Sequence, residues 1–338
     1  MVSTQVEIPS APDRDIPSGP LHAGHLISAY RVEHLVGMGG MGWVYRARHE
    51  ITGRHAALKI LREDQLACDR SIDRMMREAT ILASVAHPGL PRFYECGLLD
   101  DGRPWIAMEM VDGLALTERM TRGPLDADLV IDIVLSVAEV LAAAHTRGVT
   151  HRDLKPDNII LSPGDPRFPM RVIDWGIALA LAGARFTNMN EAIGTPTYMA
   201  PEQARGGKVG PHCDVYGLGV VAYQALTGRA PFLGASSVEI LVQHLNRPAP
   251  SLAPRCPDAP YGLVEMVERM LAKNPDERPS AAEVWSSLGQ LRMARQAPPY
   301  LRIALDGGSS PGVPLPVFET TTMPSTHVAQ TMWSDTED

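Results

Sequence analysis

At 338 residues, 45% hydrophobic and 21% charged, the chain is long and apolar enough to bury a core, which excludes global disorder. Its formal net charge of -8 offers no basic footprint for nucleic acid. The four cysteines, Cys68, Cys96, Cys213 and Cys256, lie too far apart for a zinc motif or a disulfide framework, and no apolar run reaches the roughly 18 residues of a membrane span, so a cytoplasmic protein without a membrane span is expected.

Residues 1–28 carry prolines and polar residues without periodicity and read as a flexible leader. Strands are expected over Tyr30–Val36, Gly42–His49, His55–Leu61 and Phe93–Leu99, with Thr52-Gly53 turning a hairpin. Between them, apolar residues at helical spacing over Ser71–Val85 predict one helix, stopped by His87-Pro88-Gly89. After a strand at Trp105–Met110 the pattern turns helical, over Ala115–Met120, Asp126–Arg147, His212–Leu226, Ser237–Asn246, Leu263–Ala272 and Ala281–Arg295. The folded domain is thus expected at 29–295, with a β-rich part over about 29–108, a helical part over about 109–295, and a ligand cleft between them. Residues 296–338 are rich in Pro, Thr and Ser and read as a disordered tail.

Four constellations carry chemistry. Gly37-Met38-Gly39-Gly40-Met41-Gly42-Trp43-Val44, preceded by Val36, is a glycine-rich turn between strands where missing Cβ atoms let backbone N–H groups approach a polyphosphate; alone it is equally a plain hairpin. Lys59 shares a strand face with Ala57 and could hold two phosphates if a carboxylate, Glu78 on the following helix, fixes it; otherwise both are solvated charges. In His151-Arg152-Asp153-Leu154-Lys155-Pro156-Asp157-Asn158 the proline bars a helix interior and so places the polar groups on a loop before an apolar strand expected over Asn158–Leu161. There Asp153 can accept the proton of an attacking hydroxyl, Lys155 can offset charge on a transferred group, and Asn158 can offer a neutral oxygen to Mg²⁺. Asp174-Trp175-Gly176 follows an apolar run and places a carboxylate where it could bind Mg²⁺ bridging nucleotide phosphates, although Asp-aromatic-Gly by itself is only a turn.

Together with Gly194-Thr195-Pro196-Thr197-Tyr198-Met199-Ala200-Pro201-Glu202, these motifs occur in an order that resembles the eukaryotic-like Ser/Thr protein kinases of bacteria, from about Tyr30 to Arg295. The resemblance implies an α+β, two-lobed protein kinase fold with a β-rich N-lobe and a mainly helical C-lobe. It implies ATP as phosphoryl donor with Mg²⁺, for which Mn²⁺ can substitute. It makes Met108 the gatekeeper and Glu109 to Val111 the hinge whose backbone would bind adenine edges, with Val44 and Ala57 above the ring and Asp112 near the ribose. Asp214 resembles the buried carboxylate that braces the catalytic loop, and Glu202 should pair with Arg278. Lys155 and the Gly194-Thr195 pair resemble Ser/Thr rather than tyrosine kinases. Trp175 departs from the family's usual Phe; its ring could stack between His151 and Leu82, but its N–H needs a partner.

Arg152, beside the base, wants an anion on the activation segment, and Thr187, seven residues before Gly194, is the candidate phosphosite for autophosphorylation, through a transient homodimer. Partners implied are proteins bearing Ser or Thr acceptors and, for a tail rich in Thr, a phosphopeptide-binding protein. Two competing readings stay open: a nucleotide-binding scaffold without phosphotransfer, and a small-molecule kinase, which the Gly194 to Glu202 segment disfavours.

Overall fold

The structure, a computed structural model, describes residues 21–39, 42–61, 81–162, 165, 168–175, 196–207 and 209–296. The elements considered below belong to the unit Met1–Met293; of the second unit, Ala294–Asp338, the described residues are the last three of the final helix. Residues 1–20 of the expected leader, most of the helix expected over Ser71–Val85, and the tail beyond Gln296 lie outside the described residues. The rest of that leader, residues 21–28, is folded, since Leu21 and Ile27 are buried and Leu26–Ile27 pair as a strand with Arg31 and Tyr30.

The first half builds a six-stranded antiparallel sheet from β1 (Leu26–Ile27), β2 (Tyr30–Gly39), β3 (Gly42–His49), β4 (His55–Leu61), β5 (Phe93–Leu98) and β6 (Pro104–Glu109), in the order β1-β2-β3-β4-β6-β5. Side chains alternate between faces along a strand, and here the alternation divides two cores. Tyr45, Ala47, Ala56, Leu58, Ile60, Trp105 and Ala107 fill a cluster on one face. Ile106 belongs to the second, larger cluster on the other face, where Met108 also packs. Because Val44 pairs with Lys59 in register, and Ala57 with Met108, these four residues face the same side as Ile106. A single period-2 pattern therefore hides the aliphatic residues of β4 and turns its lysine toward the rest of the chain.

The second half is helical, with α1 (Leu116–Met120), α2 (Ala127–His145), α3 (Pro201–Ala204), α4 (His212–Thr227), α5 (Ser237–Asn246), α6 (Tyr261–Met270) and α7 (Ala281–Gln296). Asp126 caps α2, its carboxylate accepting from Asp128 N at 2.8 Å, which starts that helix one residue after the expected Asp126. Helix α4 is buried nearly all round, the mark of a helix running through the middle of a domain. Its Gly217 tolerates the helix interior because any Cβ there would lie 3.2 Å from the Leu154 carbonyl, so the glycine lets the loop around residues 151–158 rest on the helix backbone.

A three-stranded sheet, β7 (Leu114–Ala115), β8 (Ile159–Leu161) and β9 (Met170–Val172), joins the halves. The sequence reading misses β7 and α3, each too short to show a period. It also starts β8 one residue early, at Asn158. Pro156–Asn158 instead form a 3-10 turn closed by Asn158 N donating to Lys155 O at 3.0 Å, with the proline pre-setting the turn's first φ.

Among the titratable groups of the helical core, the buried Tyr216 and His244 form a network with the half-buried Lys273. Lys273 Nζ donates to Tyr216 Oη at 3.3 Å, and the Tyr216 hydroxyl meets His244 Nδ1 at 2.8 Å. His244 is fully buried beside Phe232, and burial together with the Lys273 ammonium pushes its imidazole down to about 4, against an opposing pull from the Thr197 backbone. An unfolded His binds its proton near 6.5, so between pH 6.5 and 4 the unfolded chain holds the extra proton and stability falls as pH drops. We expect this to remove up to about 3 kcal/mol across that window. Urea midpoints measured from pH 7 downward should fall less steeply for His244→Gln than for the wild type, and parallel slopes would show that His244 is not the group responsible.

Candidate active site

The loop between α2 and β8 is held from below by one carboxylate. Asp214, on the first turn of α4, is 1% exposed. Its Oδ2 accepts from His151 N at 2.8 Å and from His145 Nε2 at 2.8 Å, and its Oδ1 accepts from Arg152 N at 2.7 Å. Burial alone would raise this carboxyl, but the His145 hydrogen bond leads the contacts that outweigh it, and it is lowered. Arg152 sits at φ 68, in the left-handed region that a non-glycine residue occupies only when its surroundings hold it there. The bond to Asp214 is part of that hold. His151 adds two more contacts: its Nδ1 accepts from Asp153 N at 3.3 Å, and its Nε2 lies 3.0 Å from Ile173 O.

On this base the polar groups converge. Lys155 Nζ donates to Asp153 Oδ2 at 2.6 Å, and Asn158 Nδ2 donates to the Asp153 carbonyl at 2.7 Å. Burial works against the Lys155 charge, yet Asp153, helped by Asp174 and Asp157, raises it. Asn158 is 4% exposed, and because its amide nitrogen faces Asp153, its oxygen is the pole left to meet a cation. Its carbonyl accepts from Ile173 N at 2.9 Å, which sets the start of β8 beside the end of β9 and hence beside Asp174.

Asp174 is the second left-handed residue of the site, with φ 57. Its Oδ1 pairs with Lys59 Nζ from β4. Burial would raise the Asp174 carboxyl, but Lys59 overrides it and holds the group below its ordinary value. The partner expected for Lys59, Glu78, lies outside the described residues, as do Gly40, Met41, Gly176, Thr187, Gly194 and Thr195. Trp175 is 5% exposed and finds the partner its indole requires: Nε1 donates to Val172 O at 2.9 Å, and the ring lies 4.9 Å from that of His151.

The remaining expected residues border the same space. Val36 and Met38 are exposed on β2, while Val44, Ala57 and Met108 are half-buried on one sheet face. The glycines of this turn are not alike. A Cβ at Gly42 would fall 2.1 Å from the Ile60 carbonyl, so strand pairing demands that glycine, whereas nothing lies within 4 Å of a Cβ at Gly37. Glu109 is anchored to the chain before β5, with its carboxylate accepting from Arg92 N at 3.0 Å. Ser162 Oγ donates to the Asp112 carbonyl at 2.6 Å, tying the segment after β6 to β8.

Sequence reasoning did not single out His145 or Gln203. Gln203 Nε2 donates to the Arg152 carbonyl at 2.7 Å, and its Oε1 accepts from Ala200 N at 3.0 Å. The one available signal was its place three residues after a helix start, where Gln serves as a cap.

Glu202 and Arg278 form a bidentate pair, Nη1 to Oε1 at 2.7 Å and Nη2 to Oε2 at 2.9 Å. Arg278 also donates to Ala272 O, His212 O and Lys273 O, so all five of its N–H groups are used. Breaking one side of such a buried pair costs about 3–5 kcal/mol. Arg278→Ala should therefore unfold roughly 10 °C or more below wild type by calorimetry, with Glu202→Leu in the same chain recovering part of the loss. A wild-type melting temperature for Arg278→Ala would show that the pair does not support the fold.

Compared with known proteins, residues 30–288 match the protein kinase domain family. The chain is similar to the serine/threonine-protein kinase pkn3 of Myxococcus xanthus, 39% identical over 267 residues that cover 76% of this chain and 49% of that protein. It is also similar to the serine/threonine-protein kinase PrkC of Bacillus subtilis, 38% identical over 255 residues covering 75% of this chain and 39% of that protein. The chain thus spans less than half the length of these two relatives. Among solved structures, the PknI kinase domain of Mycobacterium tuberculosis superposes with a TM-score of 0.63 at 29% identity, covering 80% of this chain and 99% of that one. The matched span begins with β2 and closes inside α7, enclosing the loop braced by Asp214 and the Lys59–Asp174 pair, and the chain belongs to the protein kinase domain family.

Proposed function

We propose that the chain is a serine/threonine protein kinase that transfers the γ-phosphoryl group of ATP to protein hydroxyls. The observation that supports this most is the convergence of Asp153, Lys155 and Asn158 on one braced loop, beside Asp174. The acceptor is read as Ser or Thr because Lys155 sits beside the base and the relatives are named as serine/threonine kinases.

In this reading the acceptor hydroxyl donates to Asp153, which takes its proton as the oxygen bonds to the γ-phosphorus and the bond to the β-phosphate oxygen breaks, releasing ADP. Lys155 faces the transferred group and offsets its charge. Lys59 binds the phosphates under the Gly37–Gly42 turn, Val44, Ala57 and Met108 enclose the base, and the backbone from Met108 to Val111 reads its edge. A divalent cation fits the donor set, since Mg²⁺ needs only one or two protein oxygens when phosphates and waters supply the rest, and Asn158 and Asp174 offer two hard oxygens side by side. When bound it would neutralise phosphate charge during transfer.

The proposal extends to control and setting. A phosphate on Thr187, which lies outside the described residues, would be attracted by the Arg152 guanidinium, and would arise by autophosphorylation between two transient copies. The hydroxyls near Thr320 and Thr331 would present sites to a phosphopeptide-binding partner. Among the described residues no helix is long and apolar enough to cross a membrane, and the free Cys96, Cys213 and Cys256 suit a reducing, cytoplasmic setting.

With labelled ATP, Mg²⁺ and a Ser/Thr-containing protein, Asp153→Asn should lose at least about 100-fold in turnover while nucleotide affinity stays near wild type. Equal incorporation by both chains would remove Asp153 from the role of base. Incorporation by neither would favour a nucleotide-binding scaffold. For Thr187→Ala, mass spectrometry should show one autophosphorylation site missing and the assay a reduced rate; a wild-type rate with an unchanged phosphosite map would dismiss Thr187.

A further inference from the structure

We propose that Gln203 is a positioning residue that couples the segment Pro196–Ala200 to the catalytic base. This rests on the reading of Asp153 as that base. The side chain bridges two segments. Its Nε2 donates to the Arg152 carbonyl at 2.7 Å, and its Oε1 accepts from Ala200 N at 3.0 Å. The Arg152 carbonyl belongs to the peptide that enters Asp153, so the bond acts on the unit that sets where the carboxylate points. Arg152 is the residue at φ 68, held at its N–H by Asp214. Gln203 is the second clamp, on the opposite side of the same strained residue.

A carboxamide meets both demands at any pH, since one end must donate to a carbonyl and the other must accept from an N–H. The two partners also fix which way the amide lies. A helix cap explains half of this. Gln203 stands at the third position of α3, where reaching back to the N–H of the residue before the helix is ordinary capping. Capping does not call for a bond to Arg152, across 51 positions of chain. Nor does it explain why the amide links the loop bearing the base to the fully buried Ala200, at the end of the segment Pro196–Ala200. The resemblance to protein kinases makes that segment the platform for the protein substrate, so the amide would set the loop bearing the base and the acceptor side to a common reference.

Two substitutions separate positioning from capping. Gln203→Glu keeps the acceptor toward Ala200 and places a residue that capping favours, but it sets a carboxylate against the Arg152 carbonyl. Gln203→Met loses both bonds at similar length. We expect both to bind ATP with unchanged KM and to lose about tenfold or more in kcat, as small misplacements of a reacting group do. For Gln203→Glu the loss, taken against wild type at the same pH, should shrink as pH falls from about 8 to about 5, because the Arg152 carbonyl it faces raises the introduced carboxyl above its ordinary value and a protonated carboxyl regains a donor, while Gln203→Met should show no such recovery. Wild-type kcat for a folded Gln203→Met, or for Gln203→Glu at every pH, would overturn the inference. Asp153→Asn is run beside them: if it too matches wild type, the reading of the base has failed, and if it alone is inactive, only the role of Gln203 has.

Discussion

The buried carboxylate of Asp214 is the constraint on which the rest of the site depends. A negative charge inside a helical core is costly unless donors surround it, and here they are a histidine and two consecutive backbone N–H groups. The charge stabilises what it costs to hold. It turns Arg152 into a left-handed conformation and in doing so sets the loop that carries Asp153, Lys155 and Asn158. A helix that is apolar on nearly every side thus places its buried carboxylate at its first turn, where its own dipole favours a negative charge.

The Lys59–Asp174 pair is the counterpart on the other side of the site. It joins a strand of the six-stranded sheet to the end of β9, and its two members come from opposite ends of the chemistry, one read as a phosphate ligand and one as a metal ligand. Each is half of a charge balance that phosphates and a cation would rearrange. The Asp174 backbone, like that of Arg152, is left-handed, a conformation that aspartate tolerates better than arginine does. Both residues lie within the loop and strand ends that bear the chemistry; the third such non-glycine residue among those described, Ser28, stands in the turn between β1 and β2.

Much of this was legible because the elements are long and periodic. Strands β2 to β6 and the longer helices show their period in the sequence, and Ala57 and Lys59 fall on one face by counting alone, whereas the two-residue β1 reads as leader. The motif octapeptide named its own acid, cation and amide. What remained hidden depends on contacts between distant segments. Nothing local marks His145 as a partner of Asp214, 69 positions away. Short elements such as β7 and α3 have no period to show, and the left-handed φ of Arg152 belongs to a residue whose type argues against it. Gly42 was misread in emphasis: its missing Cβ looked like room for phosphate, and the nearest obstacle is in fact the neighbouring strand's carbonyl.

The alternation along β4 carries one further consequence. Val44 and Lys59 face each other across the hairpin that turns at Thr52-Gly53, and Ala56, Leu58 and Ile60 fill the opposite face. The length of that turn is therefore a functional quantity although no residue in it touches the site. An insertion or deletion of a single residue there, unabsorbed by a bulge, would exchange the ammonium for Leu58 and bury the charge in a hydrocarbon cluster. Natural length variation in this hairpin should come in forms that leave the strand parity unchanged.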